Sequence, residues 1–116
     1  MKVECTVDEV APLRVPKVFR VKSTCGNINL EVELHEEVVT MPKVGDKLLI
    51  AMLQSKEECL DYYFCAHGYV VSNTKIDDTY RVVISLHGLL VVLKSKEQLP
   101  YKTMDHIYIG LNFVQS

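Results

Sequence analysis

No two of the four cysteines, Cys5, Cys25, Cys59 and Cys65, stand in a Cys-x-x-Cys pair, so the ligand spacing of a zinc ribbon is missing. Basic charge is not in excess. The net charge is −2 and the pI about 6.1, a balance that argues against a domain living on nucleic-acid phosphates and leaves such binding to arise only locally. No apolar run approaches the roughly 18 residues of a membrane-spanning helix. The opening MKVECTVDEV carries acids where a signal peptide needs its apolar core, which predicts a cytoplasmic protein, or a nuclear one in a eukaryotic source. Low-complexity blocks and helix-period segments are absent too. No Gly-x-Ser-x-Gly or comparable nucleophile setting occurs. The expectation is a chain with no catalytic residue, cofactor, bound metal or small-molecule substrate, and with free, mostly buried thiols unless the source is a hyperthermophile.

What is present is strand. The 116 residues are 48% hydrophobic and 24% charged, which predicts a single domain over 1–116 with one core. Residues 2–10 form a first short strand with interrupted alternation. In Lys17 to Ser23, Phe19 and Val21 face one way and Arg20 and Lys22 the other. From Ile28 to His35 the alternation is complete, with Ile28, Leu30, Val32 and Leu34 opposite Asn29, Glu31, Glu33 and His35, the mark of a half-buried antiparallel strand. A turn at 42–46 launches Lys47 to Leu53, apolar on both faces; an acidic loop follows at 55–61. A last strand covers His106 to Val114, with Ile107, Ile109 and Leu111 alternating with Tyr108, Gly110 and Asn112. So many candidate strands in so short a chain manage their edges most simply by closing into an antiparallel barrel.

The central stretch is Tyr63 to Leu93, in which YFCAHGYVV and YRVVISLHGLLVVL flank a polar loop from Ser72 to Thr79 and are expected to pair as a hairpin. Gly68 and Gly88 mark bulges, bends or close backbone approach. Leu89 to Leu93 are all apolar, so both faces of that strand are apolar and something must cover the outer one. With Ile84, Leu86, Leu90 and Val92 inward, Ser85, His87, Leu89, Val91 and Leu93 face outward; a bulge at Gly88 would exchange the second half of these sets. His87, Leu89, Val91 and Leu93, with His67 and Tyr69, are therefore the candidate partner interface. His67 and His87 occupy equivalent points of the two runs and could face each other, a pair better read as structural than as metal ligands.

Four stretches, VFRVKSTCGNINLEVEL, VGDKLLIAML, FCAHGYVV with SLHGLLVVLKS, and DHIYIGLNF, together resemble the RNA polymerase subunit 8 family, in its archaeal G-type form, along nearly the whole chain. Nine residues separate Leu53 from Tyr63 where eukaryotic members carry a long acidic insertion, and His87-Gly88 stands in place of their Gly-Gly. The resemblance implies an eight-stranded antiparallel barrel like an oligonucleotide-binding (OB) fold. It also implies a non-catalytic accessory subunit that docks on the largest polymerase subunit and supports assembly and stability in transcription. The rival is a free-standing OB-fold protein binding single-stranded nucleic acid, with Arg14, Lys17, Arg20 and Lys22 as its basic stretch and Tyr62, Tyr63, Phe64 and Tyr69 as stacking platforms. On that reading Glu31 and Glu33 would oppose the phosphate track. A homodimer burying the same apolar faces is the third reading.

Overall fold

The computed structural model describes residues 1–114. The chain forms β1 (Lys2–Pro12), β2 (Val18–Cys25), β3 (Ile28–His35), β4 (Lys47–Leu53), a one-turn helix α1 (Lys56–Cys59), β5 (Phe64–Ile76), β6 (Thr79–Leu86), β7 (Leu89–Ser95) and β8 (His106–Val114). The strands close into an antiparallel barrel in the order β1-β2-β3-β7-β6-β5-β8-β4. Among the described residues no helix is long and apolar enough to cross a membrane.

The order has an internal two-fold logic. β1, β2 and β3 form a meander whose first strand also pairs β4, and β5, β6 and β7 repeat that plan with β8. The halves join through β3 with β7 and β4 with β8. The local chemistry repeats as well. β1 slips register between Val7 and Glu9, and β5 between Val70 and Ser72, so each long strand bends at a bulge and can serve two neighbours. Beside the first bulge the Val7 N–H donates to the Asp46 carbonyl at 2.9 Å and the Gly45 N–H to the Val7 carbonyl at 2.8 Å. Beside the second, the Val70 N–H donates to the Asp105 carbonyl at 2.9 Å and the Met104 N–H to the Val70 carbonyl at 2.7 Å. The turns themselves match, since Asp46 Oδ2 accepts from the Lys43 N–H and Asp105 Oδ2 from the Lys102 N–H, both at 2.9 Å. An Asx-type bond of this kind fixes the turn that feeds each half's last strand.

The core is what the period-two alternation specifies. Leu30, Val32 and Leu34 of β3, Leu48, Ile50 and Met52 of β4, Val82, Ile84 and Leu86 of β6, and Ile107, Ile109 and Leu111 of β8 point inward with Val7, Val21 and Val70. β5 contributes Phe64 and Ala66, partly buried against that core.

Three expectations are corrected. The run from Tyr80 to Leu93 is two strands, not one. Leu86 pairs Leu89, and His87 (φ 53°) with Gly88 (φ 100°) makes the two-residue turn between them, the backbone signature of a type I′ hairpin. The turn reverses the chain and resets the phase, so Val91 and Leu93, expected outward, lie in the core at 0% exposure, and Leu90 and Val92 take the outer face. Second, all four cysteines are bridged, Cys5 to Cys25 and Cys59 to Cys65. Cys5 and Cys25 belong to the paired strands β1 and β2. Third, the acidic loop holds α1, capped at its N-terminus by the Ser55 hydroxyl, which accepts from the Glu58 N–H at 3.4 Å.

That helix answers part of the covering problem. Ala51 and Leu53 point out of the barrel and are buried with Cys59 in a second apolar cluster, against which Tyr62, Cys65 and Tyr108 pack. The Tyr62 ring lies on Gly110, where a Cβ would come within 2.7 Å of the ring. The outer face of β4 is covered by the chain's own next segment.

Candidate partner interface

The outer face of β5 and β8 gathers four rings, Tyr69 and His106 exposed and His67 and Tyr108 half-buried. Alternation sends Phe64, Ala66, Gly68 and Val70 inward and Cys65, His67 and Tyr69 outward. β5 pairs β8 from Phe64 with Leu111 to Tyr69 with His106, which sets His67 opposite Tyr108 and Tyr69 opposite His106. Adjacent outward residues on paired strands are within side-chain reach, and here they converge. His67 Nε2 is 3.3 Å from His106 Nδ1. The rings are parallel to within 4° with centroids 5.3 Å apart. The difference between the two distances is about what two in-plane ring radii remove, so the imidazoles meet edge to edge, as an N–H···N hydrogen bond requires, and not face to face. One ring donates and the other accepts. Tyr108 leans on His67 with centroids 4.7 Å apart.

Tyr69 is 42% exposed and the bulge residue Val71 44% exposed, and they extend the ring cluster toward β6. Gly68 lets this surface form. A Cβ at that position would meet the Ser85 carbonyl oxygen at 2.0 Å, so β5 crosses β6 closely enough only with glycine there.

Of the residues singled out in the sequence, His67 and Tyr69 come together on this face. His87 sits apart in the β6–β7 turn and does not face His67, Leu89 begins β7 half-buried in phase with Val91, and Val91 and Leu93 are inside. His106 and Tyr108, which complete the cluster, were missed. The alternation of β8 already turns Tyr108 outward, but only the β5–β8 pairing joins these residues to His67.

Three of the four cations of the proposed basic track, Lys17, Arg20 and Lys22, are paired with carboxylates. Arg20 pairs with Glu31 at 3.8 Å and Glu33 at 3.5 Å, Lys22 with Glu9 at 3.5 Å, and Lys94 with Glu31 at 3.3 Å, while Lys17 meets Glu37. The opposition of Glu31 and Glu33 to Arg20 follows from direct β2–β3 pairing. Of the proposed stacking platforms, Tyr62 lies against Gly110 and Tyr63 is edge-on to Phe113 with centroids 5.8 Å apart, while Tyr69 stays exposed. The Thr40 N–H donates to the Tyr63 hydroxyl and holds that phenol below the usual tyrosine range, whereas burial pushes Tyr101 up. Glu57 is held below the ordinary carboxylate range by its own backbone N–H and by the Ser55 hydroxyl. Among the described residues no three His, Cys, Asp or Glu side chains are grouped to hold a metal ion.

The class that the fold defines is the closed, eight-stranded, all-antiparallel barrel. Within that class the chain belongs to the RpbG family, the G-type subunit of DNA-directed RNA polymerase, whose model matches residues 1–113. It is similar to the DNA-directed RNA polymerase subunit Rpo8 of Sulfolobus acidocaldarius, 28% identical over 93% of each chain. The Rpo8 subunit of Saccharolobus solfataricus is 23% identical over 90% of this chain and 86% of its own. A solved structure of the cytoplasmic molybdate-binding protein ModG aligns over 100% of this chain and 96% of its own with 12% identity and a TM-score of 0.37, too low a likeness to bear on function. The chain is thus a G-type subunit of DNA-directed RNA polymerase.

Proposed function

We propose that this protein is an accessory subunit that docks on the largest subunit of its RNA polymerase and supports assembly and stability of the complex. The observation that carries this reading is the match of the family model to residues 1–113. The outer face of β5 and β8 supports it, because exposed tyrosine and histidine rings held rigid by a sheet lose little entropy on docking and are typical anchors of protein interfaces. The docking residues are His67, Tyr69, His106 and Tyr108, in place of the set centred on Leu89.

The test is affinity purification of the tagged chain from its native cells, followed by gel filtration and mass spectrometry. Large polymerase subunits should co-elute in stoichiometric amounts with the unaltered chain. Tyr69→Glu should elute alone while keeping its far-ultraviolet circular dichroism, since Tyr69 is outside the core. A photo-crosslinking side chain at position 69 should capture the largest subunit. Capture of another subunit would reassign the partner, and elution of the unaltered chain as a monomer would end the docking reading.

A further inference from the structure

The two bridges differ in what they hold and in who can reach them. Cys5 and Cys25 are 1% and 5% exposed and belong to the barrel core. Cys59 is fully buried, but its partner Cys65 is an outward residue of β5 and is partly open to solvent. The segment the second bridge holds has little else of its own. The backbone N–H groups of Cys59, Leu60, Asp61 and Tyr62 donate to the carbonyls of Ser55, Lys56, Glu58 and Cys59, all within the segment. Cys59 Sγ lies 3.4 Å from the Ile109 carbonyl oxygen of β8, and the first N–H from this end to donate to the barrel is that of Tyr63, to Asn112 Oδ1 at 2.8 Å. Between Gln54 and Tyr62, α1 stays on the barrel through the bridge and through the contacts of Cys59 and Tyr62 with Ala51, Leu53, Gly110 and Tyr108.

We infer that Cys59–Cys65 is a thiol–disulfide exchange site for dithiol reductants and acts as a releasable clasp on α1. The attacking thiolate takes Cys65 Sγ, the sulfur of the partly exposed half of the bridge. A mixed disulfide forms there as the Cys59–Cys65 bond breaks, and the Cys59 thiolate leaves and takes a proton. The second thiol of the reductant then attacks its own sulfur in the mixed disulfide, which frees Cys65 as a thiol. The dithiol leaves as a disulfide, having supplied two electrons and two protons. Exchange depends on access to the attacked sulfur, and local opening of a segment with few anchors costs far less than opening a barrel. Release of the clasp lifts α1 and Tyr62 and uncovers the apolar strip Ala51–Leu53 on the outer face of β4. This inference stands apart from the docking reading and needs no polymerase.

The full chain is incubated with dithiothreitol in native buffer, quenched, alkylated and mapped by mass spectrometry. Cys59 and Cys65 should be labelled at least about ten times faster than Cys5 and Cys25, with the far-ultraviolet spectrum unchanged. Tryptic cleavage after Lys56 should rise in step with that labelling. The paired variant Cys59→Ala, Cys65→Ala should show the same raised cleavage without reductant, on a folded barrel. Labelling of both pairs at one rate, labelling only on unfolding, or loss of the barrel in the paired variant would each overturn the inference.

Discussion

Gly68 is the residue on which the close crossing of β5 and β6 depends. The added Cβ of Gly68→Ala would fall 2.0 Å from the Ser85 carbonyl oxygen of the neighbouring strand, and Ser85, paired with Tyr69 on one side and Leu90 on the other, cannot step aside without disturbing both ladders. We expect a loss of about 3 kcal/mol, read from the midpoint of urea unfolding with the slope unchanged. Gly110→Ala is the control, because its Cβ meets the Tyr62 side chain and no backbone. A ring on the outer surface can pivot away, so that variant should lose clearly less. Equal losses would show that crowding by backbone is not what selects glycine at 68.

Among the elements, the β6–β7 hairpin decides which residues face the core. Its turn places two successive residues at positive φ, a conformation open to glycine and strained for a β-branched side chain. The space around Gly88 is empty within 4 Å, so Gly88→Val tests backbone strain without a clash. The variant should unfold at roughly 1 to 2 kcal/mol less than the parent. A loss near zero would mean that the turn is not held in this form. The same element explains the misreading of Leu89 to Leu93. The turn is His-Gly, not the common Asn-Gly or Asp-Gly, and the apolar residues continue on both sides of it, so neither composition nor periodicity marks the reversal.

For the whole molecule, closure makes the core common property. Val91 pairs Val32 on one side and Ile84 on the other, and its side chain is fully buried. Had it faced outward, Val91→Asp would have blocked docking and spared the fold. From inside the barrel it puts an unpaired carboxylate into the core at a cost of several kcal/mol, comparable with the entire stability of a domain this size. Val91→Asp should therefore lose the β-sheet dichroism in one step and elute as aggregate or unfolded chain. A folded, monomeric Val91→Asp protein would return Val91 to the outer surface and undo the register described for β7.

The strands outside the Tyr80 to Leu93 run, the inward sets of β3 and β8 and the antiparallel barrel were determined by the sequence, because side chains alternate with period two and alternation is a local property. The pairing of β5 with β6 was legible as well, but the polar stretch at 72–79 is not all loop: β5 runs on to Ile76 and pairs β6 there, so the turn is Asp77-Asp78. The covering of Ala51 and Leu53 by α1, the bridging of the cysteines, and the meeting of His67 with His106 were decided by tertiary structure alone. Each joins strands or segments whose contact depends on barrel closure and register, and no spacing along the chain encodes which two outer faces become neighbours.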